Sequence, residues 1–287
     1  MLGVHEVLVS SNTINDLYKI GSISSNIFSF PINDYVLLKD EYNTQQTAVA
    51  KQKENYCIDL VTNTDIKFTG IQSKNLRQLA FMHSLTDTSQ LVSVATGKAG
   101  TGKSTIALAY ALQQLQSEAK KKIYLTKAAI PINKGRAFGP VPGDVKDKYA
   151  PYVMSYEIIL KDLLGGKSNT YVALMKEKGL IEYIPLEFSR GCTFKNCNLI
   201  VDEAQNLDWH ELKTISSRIG ENSKLILIGD LNQIDTRLHK TECGLAKMIN
   251  SKAFIKSSLT SAVELETQYR SAICELVSQI DSEITNV

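Results

Sequence analysis

The sequence predicts an α/β fold: a mostly parallel sheet flanked by helices, with a small N-terminal β-rich unit ahead of it. Three observations predict it. From about residue 71, short apolar runs alternate with helical patterns, as they do where helices cover a parallel sheet. One of these runs meets a glycine-rich loop that opens an amphipathic helix. Residues 1–70 instead carry strand-like runs separated by polar stretches. The 287 residues suit one large domain or two ordinary ones of roughly 150 residues each. The expected division is 1–70 and 71–287.

In chain order, Tyr35 to Leu38 and Cys57 to Val61 read as strands, with Asn43 to Thr47 as a turn or loop. Leu91 to Thr96 is a buried strand that runs into glycines. Ser104 to Gln116 is helical, because Leu108, Ala111, Leu112 and Leu115 recur on one face. Lys122 to Thr126, Asn198 to Asp202 and Leu225 to Gly229 are further apolar strands. In a sheet of this kind ligands bind at the carboxyl ends of the strands.

Composition narrows the class. At 43% hydrophobic, 22% charged and a mean hydropathy of −0.11, the chain is neither disordered nor fibrous. No apolar run approaches the roughly 18 residues of a membrane span, and the N-terminus lacks a signal-peptide pattern. Five cysteines, an odd number without a CxxC pair, and four scattered histidines argue against disulfides and structural zinc. A reducing, cytoplasmic setting is expected. The net charge of +2 divides into −3 for residues 1–70 and +5 for residues 71–287. A polyanion should therefore prefer the second part, although so small a surplus does not establish nucleic-acid binding.

The strongest chemical signal is the run Gly97, Lys98, Ala99, Gly100, Thr101, Gly102, Lys103, Ser104, followed by Thr105. It fits the phosphate-loop pattern GxxxxGK[ST]. The glycines let successive N–H groups turn inward toward phosphate oxygens, and the helix start adds its positive dipole end. Lys103 is placed to reach β- and γ-phosphates, and the Ser104 hydroxyl to ligate Mg²⁺. Downstream, an apolar strand ends in Asp202 and Glu203. Asp202 suits the metal through water, and Glu203 suits orientation and deprotonation of an attacking water. A third strand ends in Gly229 and Asp230, with Gln233 three residues further on. Gln233 could bond the γ-phosphate or the water.

These residues resemble the PhoH-like ATPases, phosphate-loop proteins akin to superfamily-one helicases, from about Gly70 to Gln279. The resemblance is carried by Gly70 to Gln78, the phosphate loop, Val141 to Asp144, Ala150 to Tyr152, and Ser189 to Gly191. It continues through Asp202 to Leu207, Ser217 to Gly220, Gly229 to Asp235, and Tyr269 to Ser271. It implies a RecA-like P-loop NTPase fold, ATP and Mg²⁺ as ligands, and ATP hydrolysis. It also implies that Gln78 reads the adenine, and that Arg190, Arg218 and Arg270 are candidates for γ-phosphate contacts. A ring of six subunits, in which a neighbour supplies Arg218 or Arg270, is the implied assembly.

There are departures from the family pattern. Lys127 stands where an arginine is usual, Phe138 to Gly143 modify a Gly- and Leu-rich run, and Tyr269 replaces an acidic residue. Relatives often carry an N-terminal PIN ribonuclease domain. Here residues 1–70 resemble the linker that follows it, so nuclease activity is not expected.

The segment from Phe138 to Tyr156 interleaves Lys146, Lys148, Tyr149 and Tyr152, a mixture suited to single-stranded nucleic acid, though a core or subunit contact accounts for it slightly better. Three readings follow. One is an ATP-driven motor on RNA or single-stranded DNA. The second is a regulatory ATP-binding switch without motor activity. The third, a small-molecule kinase, is disfavoured by Glu203, since kinases exclude water from the transfer.

Overall fold

The structure is a computed structural model that describes residues 2–62, 64–128, 145–165, 168–189, 191–234, 243–269 and 280, with the backbone alone at 145–153, 168–169 and 187–188.

The N-terminal unit contains β1 (Val4–Val9), α1 (Ser11–Ile20), β2 (Ser22–Ser24), β3 (Tyr35–Asp40), β4 (Thr47–Gln52) and β5 (Cys57–Leu60). They form one sheet in the order β1-β3-β4-β5-β2, in which only the β1–β3 pairing is parallel. The sequence reading gave strands alone here, yet Ser11–Ile20 is a helix. Most of its residues are polar. Two local signals override them: the Ser10 side chain accepts the Thr13 N–H, and Gly21, at φ 85°, closes the helix in the left-handed region. Ile14 and Leu17 then drop into a small core with Val9, Phe28, Val36, Leu38 and Ile58.

After a short hairpin of β6 (Lys67–Phe68) and β7 (Ile71–Gln72), the alternation begins. It runs through α2 (Leu76–Thr86), β8 (Val92–Thr96), α3 (Lys103–Gln116), β9 (Lys122–Lys127), α4 (Val145–Leu164), α5 (Ser168–Glu177) and β10 (Ile181–Tyr183). It continues with β11 (Cys197–Asp202), α6 (Trp209–Ser216), β12 (Lys224–Gly229), α7 (Gly244–Ile249), α8 (Lys252–Ile255) and β13 (Thr260–Glu264). The sheet order is β10-β9-β11-β12-β8-β13, and every neighbouring pair is parallel. All six residues of β11 and of β12 are buried, as expected of strands covered on both faces. Alternate side chains serve the two faces. Ile200, Ile226 and Ile228 pack with Phe81, Ile106 and Leu108, whereas Leu199, Val201, Leu225 and Leu227 pack with Leu212 and Leu245.

The N-terminal unit sits directly on this sheet. Asn33, at φ 71°, donates to the carbonyls of Ser258 and Thr260 at 3.0 and 2.8 Å. Tyr35 Oη lies 2.8 Å from His83 Nδ1, and Lys51 Nζ lies 2.6 Å from Asp87. Val4 and Tyr35 belong to the main core. Among the described residues no helix is long and apolar enough to cross a membrane.

Candidate nucleotide site

The site forms where β8, β12 and β11 end side by side. β12 separates the loop strand from the acid strand, so Gly229 and Asp230 come between the phosphate loop and the carboxylates. The loop is built on left-handed glycines: Gly97 at φ 125°, Gly100 at 84° and Gly102 at 93°. At Gly97 a second constraint acts, since a Cβ there would lie 2.1 Å from the Leu265 carbonyl oxygen. The chain after β13 accordingly lines the loop, with Leu265 N–H donating to Thr96 O and Tyr269 N–H to Gly100 O.

Lys103 is the first residue of α3, and its ammonium folds back on the carbonyls of Gly97 and Lys98. Those bonds can be exchanged for phosphate oxygens. Gln78 braces the loop from below: its amide donates to Thr101 O at 3.0 Å and accepts the Lys74 N–H at 2.9 Å. Gln78 itself is 5% exposed and is not among the residues that line the cavity described below.

Asp202 closes β11, nine-tenths buried, and accepts the Ser104 hydroxyl at 3.3 Å. Burial raises its pKa, the Glu203 charge raises it further, and the Glu203 N–H and Lys127 act the other way. Glu203 adopts φ 54° and ψ 33°. A left-handed glutamate is uncommon, and such conformations cost of order 1–3 kcal/mol and gather at functional sites. Its side chain lines the same cavity as the loop residues. Gln205, 1% exposed, holds this geometry together. Its amide donates to Glu203 Oε2 at 2.8 Å and to Gln233 O at 3.1 Å, and its carbonyl accepts the Asp230 N–H at 3.0 Å.

A cavity of about 240 Å³ brings together Ala99, Gly100, Gly102, Lys103, Ser104, Thr105, Asp202, Glu203, Asp230 and Gln233. Asp230 is 5% exposed, and its buried Oδ2 has no hydrogen-bond partner. A buried carboxylate oxygen is costly to leave unpaired. Two buried carboxylates and a hydroxyl at one cavity are the hard oxygen donors that Mg²⁺ takes, so the residues present fit that ion.

The remaining sequence-predicted residues fall elsewhere. Lys98 and Thr101 are in the loop, Lys98 lining an adjacent cleft and Thr101 buried beneath. Arg218 follows α6, and its carbonyl accepts the Phe194 N–H ahead of β11. That is the opposite end of the sheet from the loop, about 20 Å away for strands of this length. Arg190, Arg270 and Phe138 lie outside the described residues. Tyr156, one of the aromatics read as suited to nucleic acid, is 1% exposed and stacks on Tyr183, so it is a core residue. Sequence reasoning assigned no role to Gln205 or Asp230. Gln205 follows two positions after Glu203, and Asp230 shares the strand-end pattern of Asp202, which is the signal that was available.

The family described as PhoH-like protein matches residues 70–281. Protein PhoH2 of Bacillus subtilis (strain 168) is 30% identical over 285 residues, covering 97% of this chain and 64% of that protein. Protein PhoH of Escherichia coli (strain K12) is 32% identical over 209 residues, covering 71% of this chain and 56% of that protein. The chain thus spans 64% and 56% of these relatives' own length. A crystal structure of Pif1 helicase from Candida albicans aligns with 74% of this chain and 44% of that chain, at 15% identity and a TM-score of 0.35, too distant to bear on function. With its phosphate loop, acid strand and family match coinciding over residues 70–281, the chain belongs to the PhoH-like protein family.

Proposed function

We propose that this chain is a magnesium-dependent ATPase whose turnover is coupled to RNA or single-stranded DNA, with the catalytic domain at 71–287 and the N-terminal unit at 1–70. The observation that carries it is the meeting, in one cavity, of the Lys103 loop, the Ser104–Asp202 pair and Glu203. The triphosphate lies along the loop N–H groups and the α3 N-terminus. Lys103 exchanges its loop carbonyls for β- and γ-phosphate oxygens. Ser104 and Asp202, with Asp230 behind them, would hold Mg²⁺, which would supply positive charge to neutralise the phosphates. Glu203 orients a water and takes its proton as the water oxygen bonds the γ-phosphorus and the bond to ADP breaks. Gln233 contacts the γ-phosphate from the β12 side.

Among the described residues lining the cavity, Lys103 is the only cation. A second cation can come from a neighbouring subunit, and a trans arginine is worth roughly 10³–10⁵ in rate in related chemistry. A head-to-tail contact that closes makes a ring, and six subunits is the assembly proposed, with Arg218 or Arg270 reaching across. The surplus charge of +5 over residues 71–287 supports a polyanion partner.

Steady-state phosphate release tests the reading, with and without Mg²⁺, single-stranded RNA and DNA, at two salt concentrations. Magnesium-dependent turnover that Lys103→Ala abolishes, together with loss of nucleotide binding in that variant, is the expected result. Nucleic-acid stimulation should fall steeply with salt. Turnover that survives in Lys103→Ala would place the chemistry elsewhere.

A further inference from the structure

Glu203 is held at both carboxylate oxygens. Gln205 donates to Oε2 at 2.8 Å, and Lys127 Nζ lies 3.8 Å from Oε1. The strand register explains the second contact: β9 lies beside β11, and Lys127 is the register partner of Asp202. Lys127 therefore ends its strand level with the acid pair. Neither partner is deeply buried, with side-chain exposures of 23% for Lys127 and 40% for Glu203. An ion pair this exposed is weak, screened by salt and readily exchanged. In the sequence, the residues that follow Lys127 include Lys134, Arg136, Lys146 and Lys148.

We propose that Lys127 is a latch on the hydrolytic glutamate, released by the phosphodiester backbone of a single-stranded nucleic acid. With the latch closed, the ammonium draws one oxygen of Glu203 toward β9, away from the attacking water over the phosphate loop. A strand of RNA or DNA laid across the carboxyl edge of the sheet offers Lys127 a phosphate instead. Counterion release favours that exchange, and a flexible lysine is suited to change partners. Glu203 then stays on Gln205 alone, aimed into the cavity. Lys127 is a positioning residue: it touches neither nucleotide nor water, and it acts through Glu203. The inference rests on the reading of Glu203 as the group that activates water.

The test compares wild type, Lys127→Gln and Lys127→Arg in phosphate release, with and without an oligouridine strand, across a range of ATP concentrations. Lys127→Gln should raise kcat without nucleic acid several-fold, leave the KM for ATP unchanged, and lose most of the stimulation. Lys127→Arg should restore both the low basal rate and the stimulation. A second measurement needs no variant: in wild type, moderate salt should raise the nucleic-acid-free kcat while lowering the stimulated one.

A basal rate in Lys127→Gln at or below wild type overturns the latch. So does undiminished stimulation in that variant, or a wild type that turns over ATP but responds to neither RNA nor DNA. If Lys127→Gln does not fold, a basal wild-type rate that salt leaves flat or lowers overturns it. These outcomes are separable from failure of the ATPase reading. That reading fails if wild type releases no phosphate, or if Glu203→Gln releases it at the wild-type rate.

Discussion

At the residue scale, the site depends on side chains held in conformations they would not choose alone. Glu203 accepts left-handed backbone so that its carboxylate leaves the line of β11. Its N–H meanwhile donates to Asp202 Oδ1 at 2.9 Å, tying the two acids into one turn. The two carboxylates have different surroundings: Asp202 is buried against Ser104, while Glu203 is 40% exposed at its side chain and held by Gln205 and Lys127. Glu203→Gln keeps the shape and the Gln205 contact but cannot take a proton. It should bind ATP with near-wild-type affinity and lose about 10²–10⁴ in hydrolysis, read as retained binding of a fluorescent nucleotide alongside a collapsed single-turnover rate. Equal loss of binding and rate would make Glu203 a binding residue instead.

At the element scale, the phosphate loop is shaped as much by the chain after β13 as by its own glycines. Gly97 combines a φ of 125° with a Cβ position 2.1 Å from Leu265 O. Both effects oppose any side chain, so Gly97→Ala should destabilise by more than about 1 kcal/mol and displace the loop from β13. A lowered denaturation midpoint with weakened nucleotide binding is the expected pair of results; a folded, fully binding variant would show that the contact yields. Helix α2 links this region to the rest of the molecule. Asn75 caps its start by accepting the Gln78 N–H, and Gln78 braces the loop. At its other end, Lys224 donates to the carbonyls of Ser84, Leu85 and Asp87. A buried lysine there satisfies carbonyls that a helix leaves open and complements its dipole.

At the scale of the whole molecule, the N-terminal unit is fastened to α2 through Lys51–Asp87 and Tyr35–His83. Burial raises the Asp87 carboxyl, but hydrogen bonds from Lys51 and Ser89 and the Lys51 charge outweigh it and hold the pKa well below the usual carboxylate range. A carboxyl depressed on folding stabilises the native state above its unfolded pKa of about 3.9, and that stability is lost as pH falls through the folded value. The difference in denaturation midpoint between wild type and Asp87→Asn should thus be widest near neutral pH and narrow below pH about 4. A difference that stays constant with pH would mean the pair contributes by packing alone. Assembly can be tested at the same scale. Arg218 lies far from its own loop, so Arg218→Ala and Lys103→Ala chains, each inactive alone, should recover part of the activity when mixed. Failure to recover, or an Arg218→Ala chain as fast as wild type, removes Arg218 as the trans cation.

Much of this was legible in the sequence because it is local. The phosphate loop is one contiguous run, and its glycines state their backbone requirement by residue type. The strands of the central sheet are apolar throughout because both faces are covered, so Asn198 to Asp202 and Leu225 to Gly229 could be read to within a residue of β11 and β12. Helix α1 escaped notice because only Ile14 and Leu17 are buried on it, and its caps outweigh a polar composition. For Tyr156 the sequence left two readings open, because an aromatic beside lysines reads the same whether it faces solvent or core; its burial decides for the core. What the sequence could not order was the sheet. The partners Lys127 and Glu203, and Gln205 and Asp230, are brought together by strand neighbours and register, and Lys51 and Asp87 by the packing of the N-terminal sheet on α2, not by spacing along the chain. Residue type by itself thus determined which groups could do phosphate chemistry. Only tertiary packing decided which of them meet, because a parallel sheet places strand ends together in an order that the chain does not follow.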